Sequence, residues 1–219
     1  MYRFPLKGRE PELRSNRHVA AWQRAIVCVL TATLGLLLVL NPARAGQALD
    51  RETLRRLQAG ETIVDVRPDP EGATGLISAI IDIAAPPARV WAVMLDCEHA
   101  KRASPSLTSC RVVEKAPDGR YDVREHVVQW IWPLPAVRSV FRSDYTPFER
   151  NRFKRIEGDL ALLEGEWQLV PLREGLATRL SYRARITPGW PVPDVLVRSA
   201  IETDVPKTLS ALRTVAERI

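Results

Sequence analysis

The chain has 219 residues, of which 46% are hydrophobic and 26% are charged, with a formal net charge of +6. The 174 residues that follow the first 45 are long enough to form one domain with a buried core. The first 45 residues hold seven Lys and Arg against two Asp and Glu, so the remaining residues hold 25 against 24 and are nearly neutral. The basic balance therefore does not indicate nucleic-acid binding, and we predict no nucleic-acid partner.

The N-terminal 45 residues have the three-part order of a signal peptide. A basic leader precedes an uncharged run of 16 residues at positions 25–40, and Ala43-Arg44-Ala45 follows as a cleavage pattern. The run is shorter than the ~20 residues that a membrane-spanning helix needs. We therefore expect a signal peptide at residues 1–45, cleaved before Gly46, and an exported protein, periplasmic or secreted. An uncleaved N-terminal anchor is the alternative, and the long basic leader favours it.

Two of the three cysteines lie close together in the exported part. Cys28 falls within the predicted signal peptide, whereas Cys97 and Cys110 would both reach a compartment in which disulfides persist. We predict a Cys97–Cys110 disulfide. The alternative is a pair of free cysteines that pack as small hydrophobic residues.

Behind the leader, the pattern predicts a short helix and then strands. Residues 46–60 form a small amphipathic element that ends at Gly60. A period of two then marks strands at residues 63–66 and 75–84, and the second has one apolar face made of Ile77, Ala79, Ile81 and Ile83. Residues 88–96 predict a helix with proline in its first turn, and residues 98–109 predict a loop or a broken short helix.

From Cys110 onward, turn residues divide the chain into about five strands, and a long helix follows. The breaks fall at residues 117–119, 133–135, 158 and 173–175. After a proline-rich stretch at residues 188–193, apolar residues recur every three or four positions to the end of the chain, and Pro206 should bend this helix. Helices segregated from an antiparallel sheet define an α+β class, with residues 61–219 as one domain.

Several features together resemble the START-like superfamily, which includes polyketide cyclases, lipid-transfer proteins and coenzyme Q-binding proteins. They are the strand at residues 77–83, the Pro86-Pro87 stop, the Val90-Trp91 helix, Asp96, the later Pro105 and the helix with Pro206. The resemblance implies a helix-grip fold, in which a curved antiparallel sheet wraps around the long C-terminal helix. It also implies a hydrophobic cavity between the sheet and that helix.

The chemistry of a familiar enzyme site is missing from the sequence. The exported part has two histidines, His99 in a polar segment and His126 at what we expect to be an exposed strand position. No catalytic triad, glycine-rich phosphate loop or metal-spaced cluster is present. We therefore predict no catalytic residue, no metal and no cofactor.

Aromatic and apolar residues supply the candidates for a cavity wall. Phe141 and Tyr145 share a strand face with Val137, and other aromatic residues fall in the sheet or near the last helix. Ordinary core packing is the alternative for each of them. The cavity candidates are Trp130, Phe141, Tyr145, Trp167, Tyr182, Trp190, Val197, Ile201 and Val205. Gly165 and Ala200 are small positions at which a larger side chain should fill such a cavity.

These observations predict a noncatalytic binder or carrier of a hydrophobic small molecule, either a lipid or an isoprenoid quinone. The alternative is a cyclase-like or dehydratase-like enzyme that acts on a hydrophobic substrate. A third hypothesis is a protein-interaction module whose cavity its own side chains fill. The tryptophans beside the proline-rich segments at residues 130–135 and 188–193 suit either transient contact with a membrane surface or simple capping of the sheet.

Overall fold

The computed structural model describes residues 49–129 and 135–218. The predicted signal peptide and the candidate Trp130 lie outside the described residues. The described helices are α1 (Arg51–Gln58), α2 (Pro87–Leu95), α3 (Cys97–Ala103) and α4 (Asp194–Arg218). The strands are β1 (Ile63–Arg67), β2 (Gly75–Ile83), β3 (Leu107–Lys115), β4 (Tyr121–Val128), β5 (Val137–Thr146), β6 (Arg150–Gly158), β7 (Leu160–Leu172) and β8 (Ala177–Pro188).

The strands form one antiparallel sheet in the order β1-β2-β8-β7-β6-β5-β4-β3. The sheet is curved and α4 covers it, which confirms the predicted α+β helix-grip class. The strand count was wrong by one, because residues 136–157 fold as the hairpin β5–β6. Phe148 makes its turn with a φ of 63°, a conformation that usually marks glycine or asparagine. Pro147, at the second position of the turn, was the turn signal available in the sequence.

Strands β2 and β8 pair at the centre of the core. Ile77, Ala79, Ile81 and Ile83 are all buried, as their alternation predicts. On the opposite face, Arg179 Nε donates to Asp82 Oδ1 at 2.7 Å across the two strands. One face of this pair therefore packs under α4, while the other carries charge.

The chain between β2 and β3 forms two consecutive helices. The predicted helix at residues 88–96 is confirmed as α2, and the segment at residues 98–109 begins with the short helix α3. Asp96 ends α2 and caps α3, since its Oδ1 accepts from the backbone N–H of Glu98 at 2.7 Å. The predicted disulfide is confirmed: Cys97 and Cys110 are joined, with a Cα–Cα distance of 5.3 Å.

Replacing both cysteines by serine should lower the free energy of unfolding by about 3 kcal/mol, because the bridge closes a short loop in the unfolded chain. Denaturant unfolding of the wild-type and double-variant proteins measures this difference. A reducing agent should destabilise the wild type and leave the double variant unchanged. Equal free energies of unfolding for the unreduced wild type and the double variant would contradict the prediction.

Helix α4 is the long C-terminal helix that the sequence predicts. It spans 25 residues with Pro206 in its interior, and it buries Val197, Ile201, Leu209 and Leu212. It packs against β1 and β2 of the sheet and against α2 and α3. Within residues 49–129 and 135–218, no helix has the length and apolar character needed to cross a membrane.

Candidate functional site: a cavity under the C-terminal helix

A cavity of about 290 Å³ lies between the inner face of the sheet and the helices α2, α3 and α4. It is near the lower limit of about 300 to 1,000 Å³ that is typical of small-molecule sites. Strands β4 to β8 form its floor, and α4 contributes residues on both sides of Pro206, from Asp204 to Val215. The cavity therefore occupies the position that the resemblance implies.

Five aromatic rings line the cavity floor in a continuous row. Trp167 and Tyr182 have ring centroids 4.2 Å apart, and Tyr182 stacks on Phe153 at 6.1 Å. Phe153 meets Phe141 edge to face at 6.0 Å, and His126 meets Phe141 in the same manner at 4.8 Å. We call these residues the aromatic row. The row gives a rigid apolar floor across five strands.

The structure separates the predicted cavity residues into two groups. Phe141, Trp167, Tyr182 and Val205 line the cavity. The others in the described part of the chain pack beside it: Tyr145 contacts Trp91 edge to face at 5.5 Å, and Trp190, Val197 and Ile201 belong to the adjoining core around Ile77 and Ile186. The first half of α4 thus seals the sheet, and the cavity opens under the later half.

Gly165 cannot serve as the small wall position that its sequence context suggests. A Cβ there would collide with the backbone carbonyl of Arg183 and with the ring of Phe153. Any side chain at this position would therefore push β7 away from β8 rather than fill the cavity. The expectation for Gly165 was wrong because close approach of two backbones explains this glycine.

A buried ion pair lies on the inner face of β4. Arg124 Nε donates to both carboxylate oxygens of Asp122 at 3.0 Å, and Nη2 donates to Oδ2 at 2.8 Å. The side chains are only 8% and 4% exposed, and Arg124 lines the cavity. Burial opposes the charge of Arg124, but hydrogen bonds and charge interactions with Asp122 and Tyr145 together outweigh burial and raise the pKa of the guanidinium.

Three further polar groups surround this ion pair. Ser143 lies opposite Asp122 in the β4–β5 register, and Asn151 lies opposite Tyr145 in the β5–β6 register. The Tyr145 hydroxyl is close enough to Arg124, Asp122 and Ser143 to feel their influence, and burial is the main reason that its pKa is raised. We call Asp122, Arg124, Ser143, Tyr145 and Asn151 the polar cluster. It sets polar side chains beside the aromatic row.

His126 is half-buried and its Nε2 atom is fully buried, so the expectation of an exposed strand position was wrong. It lines the cavity, and its Nε2 atom has no hydrogen-bond partner among the described residues. Burial lowers the pKa of His126 to about 4, and the positive charge of Arg124 adds to this effect. The imidazole is therefore neutral at pH 7.

The α3 side of the cavity is also polar. His99 lines it and is 25% exposed, with Nδ1 3.0 Å from Asp96 Oδ2. Asp204 of α4 accepts hydrogen bonds from the Ser104 and Ser106 hydroxyls at 3.0 and 2.6 Å. These bonds tie α4 to the segment between α3 and β3. This wall therefore depends on the same loop that the Cys97–Cys110 disulfide closes.

The sequence interpretation missed most of the polar side chains in the cavity. Asp122, Arg124 and His126 alternate along β4 and so share one face, but two valines and Glu125 on the opposite face obscure the pattern. The sequence did contain a signal for a polar face: an Asp, an Arg and a His follow one another at a spacing of two residues. Within the described residues, no group of three or more potential metal ligands is assembled.

Residues 83–213, more than half of the chain, match the family model described as polyketide cyclase/dehydrase and lipid transport. The chain belongs to this family. The matched segment begins at the end of β2 and includes all of the residues that line the cavity except Val215. A search among curated proteins finds no match to the chain.

Solved structures share the START-like fold of this chain. The chain is similar to a STAR-related lipid transfer protein from Xanthomonas axonopodis, with 20% identity, a TM-score of 0.60, and coverage of 77% of this chain and 96% of that one. It is also similar to a protein from Thermus thermophilus, with 25% identity, a TM-score of 0.56, and coverage of 64% and 96%. A third is the ZhuI aromatase/cyclase from a Streptomyces species, with 18% identity, a TM-score of 0.56, and coverage of 65% and 93%. This fold supports either hydrophobic ligand binding or cyclase-like activity.

Proposed function

We propose that this protein binds and carries a hydrophobic small molecule, a lipid or an isoprenoid quinone, without transforming it. The observation that carries the proposal is the cavity whose floor is the aromatic row. Flat aromatic and aliphatic walls favour an apolar ligand through burial of its surface, at about 25 cal/mol per Å². A family whose description includes lipid transport supports the same role.

Native mass spectrometry of the protein purified from its own host tests this proposal. A bound carrier ligand should appear as a mass increment that extraction with organic solvent removes. The extracted molecule should return to the empty protein unchanged after incubation. A protein that is empty when isolated and takes up no apolar compound would overturn the carrier role.

A cyclase-like or dehydratase-like reaction is the second candidate, and His99 favours it. His99 lies within ion-pair distance of the Asp96 carboxylate and lines the cavity. This is the arrangement of a general base. Conversion of a bound hydrophobic substrate, lost in His99→Gln while binding persists, would support the enzyme. Unchanged ligand in the wild type supports the carrier.

We further propose that the protein works outside the cytoplasm, as the signal-like residues 1–45 and the Cys97–Cys110 disulfide suggest. N-terminal sequencing of the protein from its host should begin at Gly46. Transient contact with a membrane surface would bring the carrier to its ligand, and flotation with liposomes tests it. Full-length chain in the membrane fraction would instead favour an anchor.

A further inference from the structure

We propose that the polar cluster binds the uncharged head of the hydrophobic ligand, a hydroxyl or a carbonyl, and rejects a carboxylate or a phosphate. This inference rests on the proposed function and names the class of ligand that the cavity takes. It follows from two features of the described residues. One is the set of buried polar atoms without partners, and the other is the balance of charge around the cavity.

The unpartnered atoms lie deep in the fold. Ser143 is 1% exposed and Asn151 is 6% exposed, and both line the cavity. Neither Ser143 Oγ nor Asn151 Oδ1 has a hydrogen-bond partner of good geometry among the described residues, and the nearby Tyr145 hydroxyl also lacks one. Buried polar side chains almost always have a partner, because leaving one unpaired costs about 1 to 3 kcal/mol. A ligand hydroxyl could donate to Asn151 Oδ1 or accept from the Ser143 hydroxyl, and a ligand carbonyl could accept from the Ser143 hydroxyl.

The balance of charge decides which kind of head group fits. Asp122 takes three hydrogen bonds from Arg124, so the arginine that lines the cavity is already paired. Among the described lining residues, His126 is neutral, and His99 lies against Asp96. Asp204 adds a negative charge on the α3 side. A carboxylate in this cavity would meet no unpaired cation, and burying such an anion is strongly unfavourable.

Competition for a neutral fluorescent probe tests the proposal with the full-length protein. N-phenyl-1-naphthylamine reports occupancy of the cavity, and dodecan-1-ol and dodecanoate, which share one alkyl chain, compete with it at neutral pH. We expect the alcohol to displace the probe at a concentration about tenfold or more below that of the acid. Equal or better displacement by dodecanoate would overturn the proposal.

Two serines on the same face of β5 provide a matched pair of variants. Ser143→Ala should weaken dodecanol binding by about three- to tenfold while probe affinity stays unchanged. Ser139→Ala also removes a hydroxyl from the cavity wall, four residues away, and should have a smaller effect. A larger effect at Ser139 than at Ser143 would overturn the proposed position of the head group. No effect at Ser143 would also overturn it, because structural water would then be the hydrogen-bond partner of the polar cluster.

Asp122→Asn should reverse the selectivity, because it leaves Arg124 with an unneutralised charge beside the ligand. The variant should then bind dodecanoate more tightly than dodecanol. If the variant folds and still prefers dodecanol, the proposed effect of charge on selectivity is wrong. If it does not fold, the comparison of Ser143→Ala with Ser139→Ala tests the proposal. Failure of the wild type to take up the probe at all would instead overturn the proposed function.

Discussion

Replacing Asp122 by alanine should lower the free energy of unfolding by about 3 to 5 kcal/mol, because the charge of Arg124 would then be buried without a partner. Arg124 loses three hydrogen bonds in this variant, and its side chain is only 8% exposed to water. Denaturant unfolding monitored by tryptophan fluorescence measures the change.

The exposed pair Arg142–Asp144 is a natural control for this prediction. It has the same residue types and the same spacing on the neighbouring strand, but its side chains are 45% and 58% exposed. Asp144→Ala should therefore change the stability far less. The double variant Asp122→Leu with Arg124→Leu should recover much of the lost stability, since it removes both buried charges. Equal effects of Asp122→Ala and Asp144→Ala would contradict the prediction.

Acidification should destabilise the protein through His126. The unfolded chain binds a proton at its imidazole near pH 6.5, whereas the folded state resists protonation until about pH 4. The unfolded state therefore holds more protons between these values, and stability falls as the pH drops from 6.5 to 4. His126 alone should account for a loss of about 3 kcal/mol, which is complete below the folded pKa.

The variant His126→Phe isolates this contribution from the carboxylates that also titrate in acid. It keeps an aromatic ring against Phe141 but cannot take up a proton. Its free energy of unfolding should fall less steeply over this range than that of the wild type. Parallel stability curves for the two proteins would show that His126 is not held neutral by burial.

The regular parts of the fold could be predicted because hydrophobic alternation and helical spacing are local properties of the sequence. The apolar face of β2 and the apolar stripe of α4 are two features that the sequence pattern predicted correctly. The β5–β6 hairpin was missed, since only Pro147 marks its turn and Phe148 at positive φ replaces the usual glycine. Its conformation is imposed by the pairing of the two strands and by packing near Trp91.

The cavity itself was less predictable than the sheet around it. Aromatic residues such as Trp167 and Tyr182 could be assigned to the interior, but whether an interior position faces a void depends on the volumes of all its neighbours. Val197 and Ile201 belong to the same stripe as Val205, yet they pack tightly against the sheet. The polar cluster was missed because a pattern-based prediction points Asp122 and Arg124 outward.

Uptake of N-phenyl-1-naphthylamine by two threonine variants of α4 tests most directly that the cavity is a binding site. Thr208 lines the cavity, whereas Thr214 is exposed on the same helix. Thr208→Phe should fill the space and weaken uptake by about tenfold or more, with little change in melting temperature, while Thr214→Phe binds as the wild type does. A solid core would instead lose about 1 to 3 kcal/mol of stability from overpacking at Thr208. Such a loss, or unchanged uptake in a stable Thr208→Phe protein, would contradict a ligand site beneath α4.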